Sequence, residues 1–141
     1  MPYPDVEIVD DVPTGGAQTG LTTTGYTDYR LSRDCYVLGI VARVTTGIAG
    51  STTLPIVDVA VADNGGGNLT SVASISFGTE AAGARRVAMA ATPVFVDASA
   101  GRIIRLRVTQ AATGGSPTGQ AQLYALVRWA NEADFAPGYT E

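Results

Sequence analysis

The 141-residue chain has no histidine, no lysine and a single cysteine. Each absence removes a class of chemistry. Histidine is the commonest general acid and base, and without it Ser-His-Asp and Cys-His arrangements cannot be built. Zinc sites made of His and Cys are excluded as well. Cys35 has no second cysteine to pair with, so the fold does not rest on an internal disulfide, and a reducing cytoplasm is the expected place of maturation. It opens an apolar segment and reads as a packed small hydrophobe rather than a nucleophile.

Long apolar runs are missing too. None approaches the roughly 18 residues that span a bilayer, so no membrane association is expected. The start, MPYPDVEIVDDVP, lacks the basic and apolar regions of a signal peptide. Net charge is −4, and Arg85-Arg86 and the set Arg102, Arg105, Arg107 are short and separate. Nucleic-acid binding would need a basic patch and is not expected. No phosphate-binding glycine loop exists: Gly65–Gly67 and Gly114-Gly115 are followed by no Lys-Ser/Thr and no helix. All nine basic residues are arginine. That fits a GC-rich coding source, and it also suits interfaces, where the planar guanidinium makes bidentate contacts.

Strands are what the chain has in plenty. Cys35–Thr46 sets Tyr36, Leu38, Ile40, Ala42 and Val44 against Val37, Gly39, Val41 and Arg43. Both faces are apolar, as expected of a central strand or one covered by a partner. Leu54–Ala62 and Leu69–Phe77 follow, the latter with Ala73, Ile75 and Phe77 inward. Two short strands are expected at Arg85–Ala90, with Val87 and Met89 inward, and at Pro93–Asp97. Arg102–Gln110 and Gln120–Trp129 alternate strictly, which marks one buried and one outward face. Gly, Asn and Thr clusters separate these segments. The expected domains are an extended N-terminal arm at 1–30, a β-sandwich at 31–130 and a C-terminal tail at 131–141. The arm is poor in large apolar residues and is expected to be held by a neighbouring subunit. Seven to eight strands with turn signals and no helical periodicity indicate an all-β antiparallel sandwich, with a jelly roll favoured over an immunoglobulin-like fold.

Acids are the remaining chemistry. Asp10-Asp11 and Asp58 with Asp63 are the candidate pairs. Asp58 and Asp63 stand five apart, an odd separation that turns them to opposite faces of a strand. The loop Asp63–Asn68, DNGGGN, could offer oxygen ligands to calcium but lacks the alternating acids and closing Glu of an EF-hand. The expectation is a chain without catalytic residues, metal or cofactor.

The His-free, Lys-free, Thr/Gly/Ala-rich composition and the closing segment DASAGRIIRLRVTQAATGGSPTGQAQLYALVRWA (Asp97–Ala130) resemble small β-sandwich proteins of tailed bacteriophage particles. These are capsid decoration, head-spike and head-fibre-base proteins, and the resemblance covers residues 35–130. It implies a non-enzymatic virion subunit, made in the host cytoplasm. Such a subunit is usually trimeric or pentameric and binds itself and other capsid proteins. A carbohydrate- or receptor-binding module and a tail or connector component are the alternatives. Expected interface residues are Val6 and Ile8 in the arm and the outward-facing Val37, Val41, Leu126, Arg105, Arg107 and Arg128. The three arginines are expected on one surface, facing acids of a neighbour such as Glu132 or Asp134.

Overall fold

The structure, a computed structural model, describes residues 6–9 and 17–130. It contains nine strands and no helix among these residues: β1 (Val6–Val9), β2 (Ala17–Gly20), β3 (Gly25–Arg30), β4 (Cys35–Ala49), β5 (Ile56–Ala62), β6 (Thr70–Ser76), β7 (Arg85–Val96), β8 (Ile103–Gln110) and β9 (Thr118–Trp129).

Two antiparallel sheets form. The first has the order β1-β9-β4-β7, with β2 also pairing β9; the second has the order β3-β8-β5-β6. β1 aligns with Ala125–Arg128 and β2 with Gln120–Leu123, so the two share one edge position along β9. The nine strands thus fill eight positions. Pairing is nested along the chain, β1 and β2 with β9, β3 with β8, β4 with β7 and β5 with β6. Rolling that nested ribbon brings β9 beside β4 and β8 beside β5. This is a jelly roll, and the expected all-β sandwich stands.

The core between the sheets follows from alternation. Val57, Val59 and Val61 of β5 and Ile104, Leu106 and Val108 of β8 meet Ile40, Ala42 and Val44 of β4 and Leu123, Ala125 and Val127 of β9. Ile75 and Phe77 join them as expected. Leu21 and Tyr29 belong to the same cluster, which corrects the reading of 1–30 as an arm outside the domain. β3 is an edge strand of the second sheet, paired to β8 over its whole length. Leu21 is tied by its own N–H to the Gly119 carbonyl and by its carbonyl to the Ala112 N–H. Two well-placed apolar side chains anchored a stretch whose average composition reads as loop. The pairing of β1, which carries Val6 and Ile8, is likewise to β9 of the same chain. The tail 131–141 lies outside the described residues.

Register departs from strict alternation in several places, and two of these departures change which side chains face the core. β4 shifts against both neighbours between Val37 and Gly39. The irregularity turns Val37 into the core with Cys35, whereas Tyr36 lies only partly buried. β7 runs unbroken where two short strands were expected, since its extra residues bulge out rather than end the strand. Its phase is also the reverse of that expected. Ala88 packs on the core, while Val87 and Met89 are 43% and 58% exposed. The small Ala88 fits because β4 and β7 run close there: a Cβ on Gly39 would overlap the Ala88 carbonyl oxygen.

Loops gather at the two ends of the roll. At one end Thr53 bridges Thr113, Ser116 donates its N–H to the Gly50 carbonyl, and Ile48 bridges Glu80. At the other, the Asp34 carboxylate accepts from the Ala98 N–H, and the Asp34 carbonyl accepts from the Ala130 N–H.

Candidate interaction surfaces

The outer face of the second sheet is a charged lattice. Arg105 and Arg107 leave β8 on the same side, two residues apart. Their partners lie within the chain. Arg105 grips Asp28 of β3 through Nε at 2.7 Å and Nη2 at 3.0 Å. Arg107 grips Asp58 of β5 at 2.5 and 2.8 Å, and Ser71 donates to the same carboxylate at 2.8 Å. Cross-strand register explains both pairs, since Asp28 is opposite Arg105 and Asp58 opposite Arg107. The expected pairing of these arginines with a neighbour's acids is corrected accordingly. Asp58 is the one buried charged residue among those described, and its position mid-sheet is tolerable because the bidentate guanidinium and the hydroxyl satisfy its oxygens.

Tyr26 stands at the same face, 63% exposed. The Arg105 guanidinium lies 3.8 Å from its ring centroid, a cation–π contact. Tyr26, Arg105, Arg107, Thr24 and Thr109 line a depression of about 440 Å³.

Arg128 is not on this surface. β8 and β9 fall in different sheets, so Arg128 projects from the outer face of the first sheet, over the Tyr36 ring at 4.5 Å. Tyr36 in turn packs on Phe95, with centroids 5.2 Å apart. The 111–117 connection crosses the sandwich instead of closing a hairpin.

The outer face of the first sheet is built in cross-strand rows. Leu126, Gly39 and Met89 form one row, Tyr124, Val41 and Val87 the next, and Gln122, Arg43 and Arg85 a third. Val41 and Leu126 do face outward as expected, yet they are only 2% and 8% exposed because longer neighbours cover them. Val37 is fully buried in the core and leaves the list of interface residues. Val41, Arg43, Arg85, Gly83 and Tyr124 line a depression of about 320 Å³. The Tyr124 hydroxyl donates to Gln122 at 2.8 Å.

Charge is distributed unevenly. Residues 17–130 hold all nine arginines against six acids, while 1–16 and 131–141 hold seven acids and no basic residue. All six acids of the body are engaged. Besides Asp28 and Asp58, Asp34 accepts from the Ala98 N–H, Asp63 from Asn68, Glu80 from Arg86, and Asp97 from Ser99. Arg43 and Arg85, by contrast, form no ion pair among the described residues. Sequence reasoning missed this pair because its meaning depends on the β4–β7 register.

The acids do not assemble into a catalytic pair. Asp58 is bound by Arg107, while Asp63 caps the 63–68 turn, with Arg102 at 3.6 Å. That turn closes through Asp63 N–H to the Gly67 carbonyl, and Gly65, Gly66 and Asn68 take positive φ. No group of three or more His, Cys, Asp or Glu that could hold a metal occurs among the described residues. Cys35 is buried, and burial, with the adjacent Asp34 charge, pushes its thiol up to about 12. The Asp10-Asp11 pair lies outside the described residues.

No protein-family model matches the chain, and no curated protein matches it. A solved structure, "Structure of infectious bursal disease virus Gx strain", is similar at 15% identity with a TM-score of 0.31, covering 89% of this chain. The chain spans 30% of the length of that one. A TM-score of this size does not mark a shared fold.

Proposed function

We propose that the chain is a non-enzymatic structural subunit of a viral particle of the phage type, which self-associates and binds capsid proteins to reinforce the shell or mount fibres. The observation that carries this reading is the outer face of the first sheet. A jelly roll needs only its inner faces to fold. Here the outer face also carries Val87 and Met89 exposed, Tyr124, Val41 and Leu126 beside them, and two arginines without acids. Apolar residues ringed by arginine and tyrosine are the composition of protein–protein interfaces. Jelly rolls are common in capsids, and the composition resembles phage head proteins, which supports the same assignment. The test is the native assembly. Light scattering of the purified chain should give a homo-oligomer, with a trimer the first expectation, and the chain should co-sediment with capsids. A stable monomer at micromolar concentration that ignores capsids refutes the reading.

A second reading has one observation in its favour. Tyr26 displays an exposed ring on a sheet face beside Arg105, Arg107 and two threonines, and sugars stack on such rings. A carbohydrate- or receptor-binding module would retain glycans on an array and lose them in Tyr26→Ala. Retention that Tyr26→Ala leaves unchanged counts against this site.

A further inference from the structure

Arg43 and Arg85 are cross-strand partners in the β4–β7 ladder, both exposed and both on the outer face. Like charges placed directly opposite each other repel, and no acid among the described residues relieves them. Beside them lie the 320 Å³ depression, floored by Val41 and walled by Tyr124, and the exposed Val87. The pair therefore presents an anion site next to an apolar patch.

The chain itself contains the matching ligand. Residues 131–141 read NEADFAPGYTE, with Glu132 and Asp134 directly before Phe135. The acids of residues 17–130 are all engaged within the body, which leaves the seven acids of 1–16 and 131–141 as the chain's other carboxylates. We propose that the acidic, aromatic segment 131–141 of a second copy docks on this face, Glu132 and Asp134 pairing with Arg43 and Arg85 and Phe135 covering Val41 and Val87. The proposal rests on the self-associating reading above and names the contact that makes it.

Reach decides for a second copy over the same one. Ala130, just past the end of β9, lies beside Asp34, at the end of the roll opposite Gly83 and the arginine pair. Gln122 sits opposite Arg43, seven residues up β9 from Trp129, or about 23 Å at the rise of a strand. Asp134 is four residues past Ala130 and extends at most about 14 Å. Within one chain Glu132 and Asp134 fall short of the site. From a neighbour they meet no such limit. A tail-to-face contact joins different surfaces of the two copies, so it can be made reciprocally in a two-fold dimer or head-to-tail in a closed ring.

Charge exchange in the full chain tests this. Arg43→Glu with Arg85→Glu, and separately Glu132→Arg with Asp134→Arg, should each lose the oligomer in sedimentation velocity while keeping the wild-type circular dichroism. Mixed in equal amounts, the two variants should associate again into complexes that contain both chains by native mass spectrometry, with even copy numbers favoured because a ring of three cannot alternate the two. Should the first variant fail to fold, Arg43→Gln with Arg85→Gln replaces it; the proposal then expects at least tenfold weaker association and a lower salt dependence. Wild-type assembly that neither variant disturbs, or variants that stay apart when mixed, overturns the tail contact and leaves the structural-subunit reading standing. A monomeric wild type overturns both.

Discussion

Replacing Arg107 by methionine tests whether the outer face of the second sheet stabilises the fold or merely keeps it soluble. The Asp58 side chain is 4% exposed and that of Arg107 24%. Arg107→Met keeps the apolar stem and removes the guanidinium, leaving Asp58 in the middle of the sheet with the Ser71 hydroxyl as its remaining partner among those described. Stranding one member of a buried pair costs about 3–5 kcal/mol, and the partial exposure of Arg107 puts the expected loss near the lower end, about 3 kcal/mol. For a domain of this size that lowers the melting temperature by about 10 °C. Adding Asp58→Leu should return stability to within about 1 kcal/mol of wild type, because apolar replacement of a whole buried pair is often neutral. The Arg105–Asp28 pair offers the contrast, since its carboxylate rather than its guanidinium is the exposed member: Asp28 retains 32% of its side-chain surface, and truncating Asp28 should cost about 1 kcal/mol or less. Urea denaturation of the four-member Arg107/Asp58 cycle measures the coupling. A loss under about 1 kcal/mol in Arg107→Met, or no recovery in the double variant, would refute the argument.

Two further outcomes follow from the core. Leu21→Ala should cost about 3 kcal/mol by urea denaturation, as for other fully buried leucines, because Leu21 belongs to the sandwich; an unchanged midpoint would return residues 17–24 to the status of a detachable arm. Alkaline pH should destabilise the protein through Cys35, whose thiol is held up to about 12 from an ordinary 9.0, and further through Tyr29, whose phenol burial also raises. The unfolded chain releases these protons first, so stability is whole below pH 9 and falls as pH rises from there toward 12. Denaturation midpoints at pH 7, 9 and 10.5 should show the fall in wild type and a smaller one in Cys35→Ala, and a flat profile would contradict it.

Much of the architecture followed from residue order alone. Alternation in Arg102–Gln110 and Gln120–Trp129 named the buried side of each strand, since successive side chains must leave opposite faces of a pleated chain. The turn clusters set the strand count to within one, and missing residue types restricted the chemistry before any geometry was known. Tertiary structure decided the rest. Pairing partners are remote in sequence, so Asp28 with Arg105 and Asp58 with Arg107 became visible only through the β3–β8–β5 register. The irregularity at Val37/Gly39 reversed the side on which Val37 lies, and the phase of β7 reversed Val87 and Met89, because one added or skipped residue flips every side chain beyond it. Arg128 parted from Arg105 and Arg107 because the rolled ribbon sends consecutive strands to opposite sheets. A local pattern states which residues of a strand share a face. Which strand lies alongside, and therefore which charge meets which, is set by long-range closure of the two sheets around their common core.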